Sequence, residues 1–163
     1  MNKFKTFIIL LISFILQTSV FSKLNILGAN VNIFIPAIVA ISIFLGEKIG
    51  GYSGLILGLV EDFLLTSFIG VRALSYYLIG YVVSARTSKP KKDKLSGFTY
   101  TLLASLFNFI LVSLIYYILG KQASEIMTYL PLGLLIEGII NGLIYLIYRY
   151  ILEKVMYIPT YRI

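Results

Sequence analysis

Six long stretches of this chain carry almost no charge, and that feature decides most of what the chain can become. They fall at about 4–21, 31–46, 49–67, 70–86, 97–119 and 129–151. A bilayer core of about 30 Å is crossed by about 20 apolar residues in a helix. Backbone in lipid must also satisfy its own hydrogen bonds, which a helix does. Each stretch therefore reads as a transmembrane helix, and residues 1–163 read as a single integral membrane domain. The expected fold class is an all-α membrane protein of six transmembrane helices with both termini in the cytoplasm. Mean hydropathy of +0.94 and 59% hydrophobic residues agree, since a soluble domain is nearer half apolar.

Details of the runs sharpen this picture. Only "SFIGV" separates the third from the fourth, which predicts a tight helical hairpin. Pro36 lies in the first half of the second run and predicts a kink there. The first run follows Lys3 and Lys5 and ends near "VFS", a passable cleavage site. It reads as a span rather than a signal peptide, because the rest of the chain is embedded too.

The net charge of +7 comes from 14 Lys and Arg against 7 Asp and Glu. These bases cluster at the ends of apolar runs and form no basic stripe on a soluble fold, which argues against nucleic acid as a partner. Attraction to the lipid bilayer and control of topology account for them. With six alternating spans, the cytoplasmic side holds Lys3, Lys5, Lys48, Arg86, Lys89, Lys91, Lys92, Lys94, Arg149, Lys154 and Arg162. The outer side holds Lys23, Arg72 and Lys121. An excess of bases inside is the usual sign of orientation. The basic loop "RTSKPKKDK", with Arg86, Lys89, Lys91, Lys92 and Lys94, reads as a topology anchor. Its sharper reading is a docking site for a cytoplasmic partner or anionic lipid. With no Trp, the interfacial belt falls to Tyr100, Tyr129, Tyr148 and Tyr150, near the expected boundaries.

The chain has no Cys and no His. That removes disulfides, thiolate chemistry, metal sites built on thiolate or imidazole, and serine–histidine catalysis. No cofactor, metal or catalytic residue is expected, and the protein reads as a non-enzyme.

In "GEKIGGYSGLILGLVED", Gly46, Gly50, Gly54, Gly58 and Asp62 recur every fourth residue. Residues four apart share a slowly winding helix face. Helices in lipid gain little from the hydrophobic effect, and small residues let their backbones approach closely. Gly50, Gly54 and Gly58 are therefore read as a packing face, and contact within the chain is favoured over contact with another protein. Asp62 continues that face, while Glu61 is turned from it by about 100°. A carboxylate at mid-membrane costs about 2.5–3.5 kcal/mol. Arg72 stands across the short turn, placed to pair with one of the acids.

The last run repeats Gly133, Glu137, Asn141 and Tyr145 at the same spacing. Gln17, Thr18 and Ser19 end the first run, and Asn108 lies within the fifth. These polar groups are expected to converge with Glu61 and Asp62 in the outer half of the bundle. Interhelical hydrogen bonding, worth about 1 kcal/mol per contact, is weighed there against a ligand cavity or ion path. As sequence neighbours, Glu61 and Asp62 diverge and do not form a catalytic carboxylate pair.

The order and spacing of three segments resemble the MreD family, small membrane proteins of the bacterial rod-shape system. They are "LQTSVFSKLNILGA", "GLILGLVED" and "GVRALSYYLIGYVVS", and the resemblance covers about residues 10–150. Gly54, Gly58 and Asp62 match the family's Gly-x-x-x-Gly-x-x-x-Asp. Gly70, Ala73, Leu74, Tyr76 and Gly80 match its following segment. Val31 and Asn32 depart from the Pro-Asp that often opens helix two. The resemblance implies a multi-pass protein of the bacterial plasma (inner) membrane. It implies a non-enzymatic scaffold of the elongation complex, or elongasome, organising lateral-wall peptidoglycan synthesis and cell shape. Implied partners are MreC, RodA and a class B penicillin-binding protein, with MreB indirectly.

Six helices with an outer polar cluster are also similar to the substrate-binding subunits of energy-coupling-factor vitamin transporters. Those dock through small residues such as Ala-x-x-x-Ala on helix one, and "FKTFIILLISFILQ" holds no such pair. Retention of a vitamin on purification would favour that alternative, and loss of rod shape on depletion would favour MreD.

Overall fold

The structure is a computed structural model describing residues 2–26, 29–65, 68–87, 94–120 and 130–156. Among these, six α-helices lie within or close to the six apolar runs. They are α1 (Asn2–Ser19), α2 (Phe34–Leu45), α3 (Glu47–Leu65), α4 (Val71–Arg86), α5 (Lys94–Ile118) and α6 (Leu130–Val155). Between α1 and α2 lie a short 3-10 turn, Phe21–Lys23, and a small antiparallel ladder. The ladder pairs β1 (Asn25–Ile26) with β2 (Ala29–Asn30), joining Asn25 to Asn30 and Ile26 to Ala29. Lys3–Lys23, Leu95–Ile118 and Gly133–Val155 are helical segments long and apolar enough to cross a membrane.

The centre of the bundle is α2. All of Phe34 to Phe44 is buried, as suits a helix that is apolar on every side. It touches α1, α3, α4, α5 and α6. At 12 residues it rises only about 18 Å, well short of a bilayer core. The expected run of 31–46 is thus shortened at its start. Val31 and Ile33 are buried but not helical. Gln17 of α1 satisfies the backbone there, donating from Nε2 to the Val31 carbonyl at 3.2 Å and accepting the Ile33 N–H at 2.9 Å. Asn32 Oδ1 accepts the Phe34 N–H at 3.0 Å and opens the helix.

One expectation needs correction here. Pro36 lies in the first turn of α2, where a missing N–H breaks no bond, so it imposes no kink. Gly46, first in the four-residue spacing, precedes α3 and takes no part in the packing face of Gly50, Gly54 and Gly58. It sits between α2 and α3 with φ 95°, a left-handed geometry that glycine adopts without strain, and it reverses the chain.

Helix α1 lies at the edge, with Phe4, Phe7, Leu11, Ile12 and Ile15 exposed. Tyr148 Oη of α6 donates to Ser13 Oγ at 2.6 Å, and Lys5 Nζ donates to the Val155 carbonyl at 2.6 Å. The second contact puts the start of α1 beside the end of α6. Tyr148 is therefore interior, only 8% exposed, and not a belt residue. Tyr150 is exposed, Tyr100 packs partly buried against the core, and Tyr129 lies outside the described residues.

Candidate functional site: the joint between α3 and α4

Helices α3 and α4 share the most extensive contact in the bundle. The glycine ladder makes it. A Cβ at Gly58 would strike the Ala73 backbone, and one at Gly54 would strike the carbonyl of Tyr76. A Cβ on Gly80 would in turn strike the Gly50 carbonyl. Gly50, Gly54 and Gly58 thus run antiparallel against Gly80, Tyr76 and Ala73, backbone to backbone. Gly50 also abuts Ser42 of α2, whose carbonyl accepts Ser84 Oγ of α4 at 3.0 Å. Three helices meet at this level. Without the hydrophobic effect between helices, such close approach is the main source of attraction.

Asp62 continues the ladder and meets the start of α4. Its side chain is wholly buried. Oδ2 accepts backbone N–H groups from Gly70 at 2.8 Å, Arg72 at 3.0 Å and Ala73 at 3.1 Å. Helix α4 has no cap of its own, because Gly70 stands at the N-cap position with φ 108°. No neighbour would touch a Cβ on Gly70, so glycine is required there by conformation rather than by space. The first N–H groups of a helix lack intrahelical acceptors and carry its positive dipole end. Asp62 answers both needs from the preceding helix.

Glu61 serves the same helix start through side chains. Arg72 Nη1 donates to Glu61 Oε1 at 2.5 Å, an ion pair with Glu61 nearly buried and Arg72 about a third exposed. Tyr76 Oη donates to Glu61 Oε2 at 2.7 Å. Asn32 Nδ2 donates to Tyr76 Oη at 2.5 Å, which ties in the entrance to α2. The two adjacent acids are thus balanced differently, one by a guanidinium and one by a helix terminus. They point apart along the chain yet act on one turn of α4.

The remaining polar groups do not join this cluster. Ser75 Oγ of α4 donates to Asn108 Oδ1 of α5 at 2.8 Å. Asn141 Nδ2 of α6 donates to Ser105 Oγ of α5 at 2.9 Å and makes a long 3.5 Å contact with Glu137 Oε1. Tyr145 lies against Gly97, so the stripe on α6 faces α5. Thr18 and Ser19 bond to carbonyls of their own helix and stay near the surface. The expected convergence in one outer cluster is therefore corrected to separate helix-to-helix bonds. Gln17 alone of the α1 trio reaches the interior, at the Val31–Ile33 backbone. In the basic loop, Arg86 ends α4 and Lys94 begins α5, while Lys89, Lys91 and Lys92 lie outside the described residues.

Sequence reasoning missed Tyr76 and Asn32 as members of the site. A signal was present in Tyr76, a hydroxyl one helical turn beyond Arg72 on the face that meets α3. Among the described residues no group of three or more His, Cys, Asp or Glu could hold a metal ion. What this arrangement does chemically is lock helices, since both carboxylates are taken up by donors within the protein.

A family model described as rod shape-determining protein MreD matches residues 1–155. No curated protein and no solved structure matches the chain.

Proposed function

The chain belongs to the rod shape-determining protein MreD family, and we propose that it is a non-enzymatic scaffold of the bacterial elongation machinery. The observation that carries this reading is the family match, which spans 155 of 163 residues. Membership makes this a shape-determining membrane protein, in agreement with the three long apolar helices among the described residues.

In the finer reading, the protein crosses the inner membrane six times with both termini in the cytoplasm, the short α2 completing its crossing through the unwound Val31–Ile33 entry. It binds MreC, RodA and a class B penicillin-binding protein, and through them MreB, to organise lateral-wall peptidoglycan synthesis. The site supports a structural role. Its carboxylates, tyrosine and guanidinium are engaged in joining α3, α4 and the entrance to α2. What is left for partners is helix faces and short loops. The transporter-subunit alternative finds no support, because the family is MreD, and Glu61 and Asp62 hold helices together, as the packing reading of these acids has it.

Depletion in a rod-forming host, followed by rescue, tests the reading. Cells should round on depletion and recover with the wild-type chain. Unchanged shape on full depletion would sink the scaffold proposal.

A further inference from the structure

We propose that the hollow between α4 and α5 is a selective site for an anionic phospholipid, with its phosphate on Arg86 and an acyl chain along the groove. The hollow holds about 260 Å³. Its wall includes Leu78, Val82, Leu103 and Phe107, with Tyr100 and Arg86 beside them. Leu78 to Arg86 spans about 12 Å of helix, so the apolar wall runs down from a single charged group at one end. That is the profile of a lipid, whose charge sits at one end of a long apolar body.

Charge complementarity selects the anionic class. Arg86 is exposed in the last turn of α4, and no hydrogen bond or ion pair holds its guanidinium among the described residues. Guanidinium forks onto phosphate oxygens, and basic pockets between membrane helices bind anionic headgroups. The sequence then places Lys89, Lys91, Lys92 and Lys94 within eight residues of Arg86, against Asp93 alone. The site itself is confined to Arg86 and the α4–α5 wall. Any lipid-facing groove meets acyl chains; what the structure adds to the sequence reading of the basic loop is a defined place, with Arg86 as the headgroup contact and the α4–α5 wall as the acyl groove. A larger hollow of about 600 Å³ between α1 and α3 is lined by Lys3 and has fewer bases beside it in sequence, Lys5 and Lys48 against Glu47. The proposal stands apart from the scaffold reading, since it concerns a lipid and not a protein partner.

The test is native mass spectrometry of the full chain in neutral detergent. Dioleoylphosphatidylglycerol and dioleoylphosphatidylcholine are titrated, and inorganic phosphate is the competitor. Wild type should prefer phosphatidylglycerol by about tenfold, the scale of one charge-assisted contact. Arg86→Ala should remove the preference and Arg86→Lys should keep part of it. A Lys89, Lys91 and Lys92 triple alanine variant should keep most of it. Val82→Trp, on an exposed position of the wall, should weaken retention of both lipids. Equal binding of the two lipids by wild type would overturn the proposal. So would an unchanged preference in Arg86→Ala, or loss of preference only in the triple variant. Displacement of phosphatidylglycerol by an equal concentration of phosphate would also overturn it, in favour of a free-anion site.

Discussion

The Asp62 carboxylate of α3 receives the backbone N–H of Gly70 at 2.8 Å, so α4 is capped by the helix that precedes it. Helix caps are ordinarily carried by the residue at the helix start. Here that residue is Gly70, and the acceptor lies eight positions earlier in the chain. The arrangement makes the capping of α4 depend on the docking of α3. Docking depends in turn on Gly54 and Gly58, so one face of α3 both sets the helix separation and satisfies the backbone that the separation exposes.

Asp62 should therefore tolerate loss of charge better than loss of its oxygen. In Asp62→Asn, one amide oxygen can take the place of Oδ2, which accepts from Gly70, Arg72 and Ala73. The loss should be about 1–2 kcal/mol, from the weaker interaction with the helix dipole and from Nδ2 standing where Oδ1 now accepts the Arg72 N–H at 3.2 Å. Asp62→Ala leaves several N–H groups without an acceptor and should cost about 3 kcal/mol or more. Thermal unfolding of the detergent-solubilised protein would separate the two, and rescue of cell shape should follow the same order. Equal losses would remove the capping role.

Neighbouring glycines on α3 should differ sharply. Gly54→Ala drives a methyl into the Tyr76 carbonyl, and the helices must part, at about 2–3 kcal/mol. Gly51→Ala meets only the Tyr77 ring at 3.2 Å, which a small shift relieves. Gain in helix propensity, about 1 kcal/mol, should leave that variant near neutral or slightly more stable. The double change of Gly54 and Gly58 to Leu should abolish assembly or folding. A double variant that folds and restores rod shape would show that the close approach is dispensable.

Glu61 and Arg72 should behave as a coupled pair. Arg72→Ala leaves a nearly buried carboxylate without its cation and should cost about 2 kcal/mol, reduced from the fully buried case because Arg72 is partly exposed. Adding Glu61→Gln to that variant should restore at least half of the loss. Unfolding temperatures of the two single variants and the double close the cycle. Strict additivity would mean that the ion pair contributes nothing.

Asn32→Asp should be harmful through Tyr76. Tyr76 has one hydroxyl proton and gives it to Glu61, so Asn32 must act as the donor to that oxygen. An aspartate there offers a second acceptor to a proton already used. The cost should be about 2 kcal/mol and should shrink in a Tyr76→Phe background. The readout is the same unfolding measurement; an equal cost with and without the hydroxyl would break the proposed relay.

Much of this protein was legible from local pattern. The absence of charge over helical lengths marks a membrane chain, and six helices lie within or close to the six runs. Spacing of four places Gly50, Gly54, Gly58 and Asp62 on one face, because 3.6 residues make a turn. What periodicity does not carry is the identity of the opposing surface. In lipid both faces of a helix are apolar, so no contrast of solvent and core says which face is covered. Only the folded bundle decided that Gly54 meets Tyr76, that Asp62 caps a neighbour while Glu61 takes Arg72, and that Asn141 turns to Ser105 of α5 instead. The shortened α2 has the same cause. Val31 to Ile33 is apolar enough to extend a helix, but Gln17, held 14 residues away on α1, takes up its backbone groups and lets the chain enter unwound. Sequence determined which groups could be buried; long-range hydrogen bonds and backbone contact determined where each of them went.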